Sequence, residues 1–382
     1  MAAELCDAGS VGCDRAVLAP FAAVCYTHLG STMKTVYHRL NEKQIDQKVM
    51  AEAGEVIRRG GLVAFPTETV YGLGGDAMNP QASARIYAAK GRPSDNPLIV
   101  HIADLEALEQ IAAPVPKEAY ALAERFWPGP LTMILAKKDC VPNETTGGLS
   151  TVAIRMPDHP IALELIRVAK TGIAAPSANL SGRPSPTKAE HVKADLDGRI
   201  DMILDGGPSK IGLESTIVDL STDMPMILRP GYIPIESIRE VTGRAEYDPA
   251  ILRGIESKQA PKAPGMKYKH YAPKGELTIV SGEQEAVTSY IREQISRRAG
   301  AERIGVIATQ ETCAMYEADL VCNVGPSEDE EAIARHLYSV LRAFDEAQID
   351  RIYSEAFRGE RIGQAIMNRL IKAAGHHMIE VS

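Results

Sequence analysis

The sequence predicts an α/β protein in which a mixed, twisted sheet with helices and a concave cleft is followed by a small Rossmann-like domain of three α/β/α layers. With 382 residues, the chain is long for one domain. In its first part, several strand-like segments lie too close together for helical crossovers, which indicates a mixed sheet. From Leu277 onward, strand-like and helical segments alternate regularly, as they do in a mostly parallel three-layer domain.

The elements of the first domain are predicted from caps and short apolar runs. Apolar residues recur at helical spacing from Ile45 to Ile57 and stop at Gly60-Gly61, which supplies a C-terminal cap. Asn79 and Pro80 begin a second helix that ends near Lys90. The remaining predictions are strands over 62–65, 97–102, 131–136, 151–156, 215–220 and 226–231, a helix from Asp158, a capping box of Thr187 and Glu190, and a closing helix over 234–243.

The second domain has the more regular pattern. Its first strand is not followed by GxGxxG, so dinucleotide binding is not supported. The predicted elements are the strands LTIV, RIGVIA, ADLVCNV, DRIYSE and HMIEV, a short helix after RIGVIA, and helices over 283–298, 328–347 and 361–374.

These patterns divide the chain into four parts. We expect an N-terminal extension over 1–40, a catalytic domain over 41–243, a linker over 244–276 and a C-terminal domain over 277–382. Residues 1–32 show no sustained period, and acidic residues precede their apolar stretch, which excludes an ordinary signal peptide. We expect translation to start at Met33, and a peptide from within residues 1–32 in the mass spectrum of the natural protein would contradict this.

Composition narrows the class of protein. The chain is 45% hydrophobic and 24% charged, its net charge is −8, and it has no run of about 18 apolar residues, so we expect a cytoplasmic protein without a membrane span. Its six cysteines form no CxxC pair or Cys/His cluster, which favours reduced thiols over disulfides or a zinc site. The negative charge argues against general nucleic-acid binding but leaves a local basic cleft open.

Polar, glycine-containing segments carry the chemistry. The segment FPTETVYGLGGDA (65–77) is predicted to be a turn in which Thr67, Thr69 and Tyr71 offer hydroxyls, and it lacks the Gly-Lys-Ser/Thr of a Walker A loop. Taken alone, the segment is more simply a turn than a ligand contact. In KGRPSDNPLIVH (90–101), two cations on a stiff loop suit phosphate or carboxylate recognition. Taken alone, Lys90 is better explained as complementing a helix dipole, and His101 as a packed core residue.

Three further segments add hydroxyls and cations. Arg155 lies within a strand-like alternation and needs an anion or a carboxylate partner, because an unpaired buried charge is very costly. The segment IAAPSANLSGRPSPT (173–187) is predicted to be a strand that runs into a loop. The loop offers small residues and hydroxyls that suit phosphate oxygens, although it could be a plain loop. Ser215 begins one strand and Arg229 ends another. In an acidic protein, this distribution predicts a local anion-binding cleft.

The segments PTETVYGLG, KGRPSDNPL, STVAIRMP, APSANLSG, ESTIVD and LRPG, in this order and approximate spacing, resemble the threonylcarbamoyl-AMP synthase family. The first domain looks like the YrdC-like domain, and the linker with the second domain looks like the longer form of the enzyme. The resemblance covers about residues 41–382. It implies a cytoplasmic enzyme that condenses L-threonine, bicarbonate (or CO2) and ATP into L-threonylcarbamoyladenylate and pyrophosphate, for modification of adenosine 37 in tRNAs that read codons beginning with A.

The resemblance also assigns site residues. The positions that would bind L-threonine are Thr69, His101, Arg155, the Ala175 backbone and Ser215. Those that would bind ATP are Arg92, Asn96, Thr151, Ser177, Ser185, Arg229 and Tyr271. Lys90 and Arg92 would act in catalysis by stabilising charge on phosphoryl oxygens. No protein metal ligand is implied, Mg2+ being held through ATP phosphates, and the expected partners are the transferase proteins that receive the product, with at most a weak contact to tRNA.

Two other classes stay open from the residues alone. One is a translation-linked RNA-binding module, which the negative charge and the aromatic content of 5% disfavour. The other is a ligase that handles an acylphosphate or carbamoyl group in the same anion site. The linker segment KAPGMKYKHYAP (262–273) combines prolines, lysines and tyrosines, so we also expect residues 244–276 to form a lid over the cleft, with a packed spacer as the alternative.

Overall fold

The structure is a computed structural model that describes residues 33–249, 251, 263, 271–359 and 361–382. Within these residues, the chain forms an 11-stranded mixed sheet and a 5-stranded sheet. The strands of the smaller sheet all pair in parallel. The predicted fold class is therefore confirmed. In the same residues, none of the helices is both long and apolar enough to cross a membrane.

The elements of the first domain lie in chain order as follows: β1 Val36–Arg39, α1 Gln47–Arg58, β2 Val63–Phe65, β3 Gly72–Asp76, α2 Pro80–Lys90, β4 Ile99–His101, α3 Glu106–Ile111, α4 Lys117–Phe126, β5 Leu131–Ala136, α5 Asn143–Thr146, β6 Thr151–Arg155, α6 Pro160–Ala169, β7 Ile173–Ala174, α7 Ala189–Leu196, β8 Met202–Asp205, β9 Thr216–Asp219, β10 Met226–Arg229, α8 Ile235–Thr242 and β11 Glu246–Tyr247.

The second domain contains β12 Glu276–Gly282, α9 Gln284–Ser296, β13 Ile304–Ala308, a 3-10 helix Cys313–Met315, β14 Leu320–Asn323, α10 Glu330–Glu346, β15 Arg351–Glu355, α11 Gly363–Ala373 and β16 Met378–Val381. Every strand predicted for this domain is present, and the predicted helices agree with the observed ones to within about two residues.

The large sheet has the strand order β1-β8-β2-β3-β7-β4-β6-β5-β9-β10-β11. Parallel and antiparallel neighbours are interspersed along it, for example β4 parallel to β6 and β6 antiparallel to β5. Helices cover the sheet through separate apolar clusters, one around Leu73 and Ile154 and another around Phe65 and Leu165. The sheet is thus a rigid support from which the polar loops project.

The expected boundaries of the first domain are wrong at both ends. The segment Val36–Arg39, expected to belong to the extension, pairs in parallel with Met202–Asp205 as an edge strand. Its side chains are mostly exposed, so it lacks the apolar signal of a buried strand. At the other end, Glu246–Tyr247, expected in the linker, pairs with β10. Residues 1–32 and most of the linker lie outside the described residues.

The segment 65–77 is not only a turn, because Gly72–Asp76 is a central strand paired with β2 and β7. The sequence pattern did not predict this strand, because it contains three glycines and glycine is unfavourable in strands. Packing explains why they are there. A Cβ on Gly74 would lie 2.7 Å from Ile173 Cγ2 and 2.8 Å from Phe65 Cε1, so only glycine lets these side chains cross the strand.

The predicted capping box is also wrong. The helix Ala189–Leu196 begins after Lys188 and has no side-chain cap. The hydroxyl of Thr187 instead lies 3.0 Å from the hydroxyl of Ser339, which belongs to the second domain. Thr187 thus contacts a residue 152 positions away in the chain and does not cap the helix beside it.

Candidate active site

A cleft lies at the ends of β4 and β6, between the loops that follow β2 and β7 and the segment that precedes β9. Nine of the predicted site residues line it: Thr69, Arg92, His101, Arg155, Ala175, Ser177, Ser215, Arg229 and Tyr271. Four predicted residues, Lys90, Asn96, Thr151 and Ser185, are not among its lining residues. The sequence segments therefore meet in one place, with the exceptions described below.

Arg155 ends β6 and organises one side of the cleft. Its Nη2 lies 2.6 Å from a Glu68 carboxylate oxygen, and its Nη1 donates to Thr69 Oγ1 at 2.9 Å. The Thr69 hydroxyl in turn lies 2.8 Å from that of Thr67, which donates to the Val70 carbonyl. Arg155 therefore has the carboxylate partner that its burial demands, and it holds the Thr69 hydroxyl at the cleft wall.

His101 ends β4 next to Arg155 and is buried. Its ring packs edge-on against Phe65 with centroids 6.1 Å apart, and its Nδ1 lies 3.1 Å from the Ile99 carbonyl. Burial, together with the nearby Arg155 charge, lowers the pKa of His101 to about 3. The imidazole is therefore neutral at pH 7, both packed in the core and exposed at one edge to the cleft.

Ser215 and Arg229 form the opposite corner. The Ser215 hydroxyl lies 2.7 Å from that of Thr132, and Arg229 Nη2 donates to the Ser215 carbonyl at 3.0 Å and to its hydroxyl at 3.2 Å. Both residues are buried at strand ends. Burial lowers the pKa of Arg229, with the Tyr271 and Glu214 side chains acting in the opposite direction. This corner presents one hydroxyl and one guanidinium to the cleft.

Lys90 lies behind the cleft wall and not in it. Its Nζ donates to the carbonyls of Ser177 and Asn179 and lies 3.4 Å from Asn179 Oδ1. Burial and then the Arg92 charge hold its pKa well below the usual range. The ammonium thus tethers the loop that follows β7 from behind. The expectation that it faces the phosphates does not match this geometry.

Arg92 does line the cleft, next to Asn96. Its Nη2 donates to the Asn96 and Pro97 carbonyls at 3.2 and 3.0 Å, so the loop backbone fixes the guanidinium. The Asn96 side chain is completely buried, and within the described residues neither of its amide atoms has a hydrogen-bond partner. An orphaned buried amide is unfavourable in the free protein.

Of the other residues predicted to bind ATP, two line the cleft and two do not. Ser177 lines the cleft and donates to Asn179 Oδ1 at 2.6 Å. Ser185 is completely buried and donates to the Glu214 carboxylate at 2.6 Å, one step behind the wall. Thr151 begins β6 at the end of the strand away from Arg155 and is not a lining residue. Tyr271 lines the cleft and stacks on Tyr338.

Three residues missed by the sequence reasoning belong to this environment: Glu68, Arg183 and Glu214. All lie inside or beside the quoted segments, and Glu214 directly precedes Ser215. Position in the motif was the available signal, since their partners come from distant parts of the chain. Arg183, for example, pairs with Asp195 and lies 3.5 Å from Asp345 of the second domain.

Guanidinium groups are the main charged groups that line the cleft. Among its described lining residues, the guanidinium groups of Arg92, Arg155, Arg183 and Arg229 outnumber the single carboxylate of Glu214. In the same part of the chain, no group of three or more His, Cys, Asp and Glu side chains could hold a metal ion. A mixed α/β sheet with a guanidinium-lined, hydroxyl-rich cleft is typical of proteins that bind small anionic substrates.

Comparisons with known proteins agree with this class. A family model described as "Telomere recombination" matches residues 55–231, and one described as "Threonylcarbamoyl-AMP synthase, C-terminal domain" matches residues 233–375. The threonylcarbamoyl-AMP synthase of Bacillus subtilis is 50% identical over 340 residues, which cover 89% of this chain and 96% of the relative. That of Pyrococcus abyssi is 48% identical over 348 residues, which cover 91% of this chain and 100% of the relative.

A solved structure titled "Crystal structure of P. abyssi Sua5 complexed with L-threonine" superposes with a TM-score of 0.86 at 47% identity, covering 91% of this chain and 100% of that one. The chain belongs to the threonylcarbamoyl-AMP synthase family.

Proposed function

We propose that this cleft condenses L-threonine, bicarbonate (or CO2) and ATP into L-threonylcarbamoyladenylate and pyrophosphate, and that the product serves the modification of adenosine 37 in tRNA. One observation carries the proposal. In a chain that belongs to the threonylcarbamoyl-AMP synthase family, all five residues expected to bind L-threonine, namely Thr69, His101, Arg155, Ala175 and Ser215, line a single cleft with three further arginines.

The chemistry requires placement and charge more than a covalent nucleophile. The amine of threonine is carboxylated to a carbamate, whose oxygen attacks the α-phosphorus of ATP while pyrophosphate leaves. Negative charge spreads over the phosphoryl oxygens, so fixed guanidinium groups stabilise the transition state. Arg92 and Arg229 are the residues we assign to this role, because the Asn96, Pro97 and Ser215 main chain holds each of them in place.

We place the threonine-binding part of the cleft beside Arg155 and its hydrogen-bond partners. The Arg155 guanidinium and the Thr69 hydroxyl form one polar wall, and the neutral imidazole of His101 lines the cleft as well. Because Glu68 neutralises Arg155, the threonine carboxylate would share this cation with Glu68. Hydroxyl recognition by Ser215 would distinguish threonine from an amino acid without a hydroxyl.

Magnesium fits this site only as part of the substrate. Glu214 is the one carboxylate among the described lining residues, and its oxygens are already engaged by Ser185, Tyr338 and Arg369. The described residues therefore offer no protein ligand set, and Mg2+ would enter bound to the ATP phosphates. We further propose a cytoplasmic location and transfer of the product by separate transferase proteins, with at most a weak contact to tRNA.

The test is pyrophosphate release from ATP, measured with threonine, serine or no amino acid, and with or without added bicarbonate. We expect release that requires both threonine and bicarbonate. Release that ignores threonine would favour a ligase of another substrate, and tight RNA binding without release would favour an RNA-binding module.

A further inference from the structure

The second domain packs against the loops that form the cleft. Its helices α10 and α11 share an apolar cluster with Val70 and Leu213 of the first domain, around Leu337 and Leu341. The approach is close: Gly212 has φ +84, and a Cβ there would lie 2.5 Å from Arg335 Cα. These contacts bring α10 against the segment that precedes Ser215 in the chain.

Glu214 is where the two domains meet in polar contact. One of its carboxylate oxygens accepts from Ser185 Oγ at 2.6 Å. The other accepts from Tyr338 Oη at 2.8 Å and from Arg369 Nε at 3.1 Å, and both donors belong to the second domain. All four side chains are buried. The first domain alone would leave this carboxylate next to the cleft without two of its three donors.

The electrostatics depend on the same partners. Burial alone would raise the pKa of Glu214, but the Arg369 and Arg229 charges, with the hydrogen bonds from Ser185 and Tyr338, more than offset this and hold it at about 2. Arg369 also donates from Nη1 to the Pro230 carbonyl, adjacent to Arg229. The Arg369 guanidinium therefore fixes two points of the cleft wall.

Tyr338 has a second contact with the cleft. Its ring stacks on that of Tyr271, with centroids 5.2 Å apart and planes inclined by 29°. Tyr271 lines the cleft and has φ +65, a left-handed conformation that a non-glycine residue rarely adopts. The stack with Tyr338 therefore helps hold a strained residue at the cleft wall.

We propose that Tyr338 and Arg369 of the second domain are positioning residues for the synthase reaction, acting through Glu214 on Ser185 and through Tyr271 on the cleft wall. The inference rests on the proposed function and gives the second domain a role in it. The second domain is then a working part of the cleft, and its removal lowers activity by loosening Ser185, Tyr271 and the Ser215–Arg229 corner.

The test uses the full chain and a matched pair of substitutions. Tyr338→Phe removes one hydroxyl and keeps the stack with Tyr271. Tyr316→Phe removes a hydroxyl that donates to Glu355 at 2.6 Å, also onto a buried carboxylate of the second domain, among residues remote from the cleft. Arg369→Lys and Glu214→Gln complete the set. For each variant, kcat and KM for ATP and for threonine are measured, together with Tm.

We expect Tyr338→Phe to lower kcat/KM for ATP about tenfold, the effect of one lost hydrogen bond to a charged group. Tyr316→Phe should leave kcat and both KM values unchanged, even if the two variants lose similar Tm. Because Tyr338 acts through Glu214, adding Tyr338→Phe to Glu214→Gln should cost much less than it does in the wild type.

Two results separate the possible failures. Wild-type chain with no threonine-dependent pyrophosphate release overturns the proposed function and this inference with it. Active wild type with Tyr338→Phe equal to Tyr316→Phe in every kinetic constant, or with effects additive to those of Glu214→Gln, overturns the inference alone.

Discussion

Asn96 gives the most discriminating prediction about the free protein. Its side chain is completely buried, and neither amide atom has a partner within the described residues. An unpaired buried amide costs about 1–3 kcal/mol, and leucine has nearly the same shape. Asn96→Leu should therefore stabilise the nucleotide-free protein by about 2 kcal/mol. It should also raise KM for ATP, since the ATP site is expected to need the amide.

Asn179 supplies a matched control, for which the same substitution should change the stability in the opposite direction. Its Oδ1 accepts from Ser177 Oγ at 2.6 Å, and its Nδ2 donates to the Leu180 and Arg183 carbonyls at 2.8 and 2.9 Å. Three hydrogen bonds at about 1 kcal/mol each predict that Asn179→Leu destabilises the protein by about 3 kcal/mol. The same substitution thus has opposite effects at two buried asparagines.

The assay is urea unfolding without nucleotide, followed by unfolding with saturating ATP. We expect Asn96→Leu to shift the midpoint upward without ATP and to lose most of the stabilisation by ATP. A downward shift like that of Asn179→Leu, with normal stabilisation by ATP, would show that Asn96 is satisfied in the free protein and does not contact ATP.

Three further substitutions are predicted from the same contacts. Lys90→Met should lower both activity and stability, the latter by about 3 kcal/mol in urea unfolding, because buried carbonyls lose a charged donor. Arg92→Gln should abolish adenylate formation, measured as pyrophosphate release, and should also lower the urea midpoint, because the Asn96 and Pro97 carbonyls lose their donor. His159 caps α6 through Nδ1, and burial lowers its pKa to about 4, so the unfolded chain takes up a proton first as the pH falls below 6.5. His159→Asn keeps a cap at the start of α6. The free energy of unfolding that is lost between pH 7 and pH 5 should be smaller in this variant by about 2 kcal/mol, measured by urea unfolding at each pH. An equal loss in the variant and the wild type would contradict the lowered pKa of His159.

Local patterns were sufficient to predict most elements, because buried strands and capped helices leave periodic apolar runs. The strands of the second domain follow directly from such runs. Gly72–Asp76 could not be predicted this way, since its place in the sheet depends on Phe65 and Ile173 crossing its glycines. The edge strand Val36–Arg39 is too exposed to leave a signal.

The candidate site likewise has features that the sequence could predict and features that it could not. Motif order predicted which segments meet, and Arg155, His101 and Ser215 do line one cleft. The direction in which a side chain points could not be predicted from the sequence. Lys90 points toward the Ser177 and Asn179 carbonyls, which lie behind the cleft wall, and only the folded chain brings these groups together. Contacts between domains were equally hidden, since Glu214 and Arg369 are 155 positions apart.

The central claim is tested most directly by the nucleotide product itself. Wild-type chain is incubated with ATP, L-threonine and 13C-labelled bicarbonate, and the nucleotides are analysed at once by mass spectrometry. The account predicts a threonylcarbamoyl adenylate that carries the 13C label, together with pyrophosphate in equal amount. An unlabelled product, or ADP and phosphate in place of an adenylate and pyrophosphate, would contradict it.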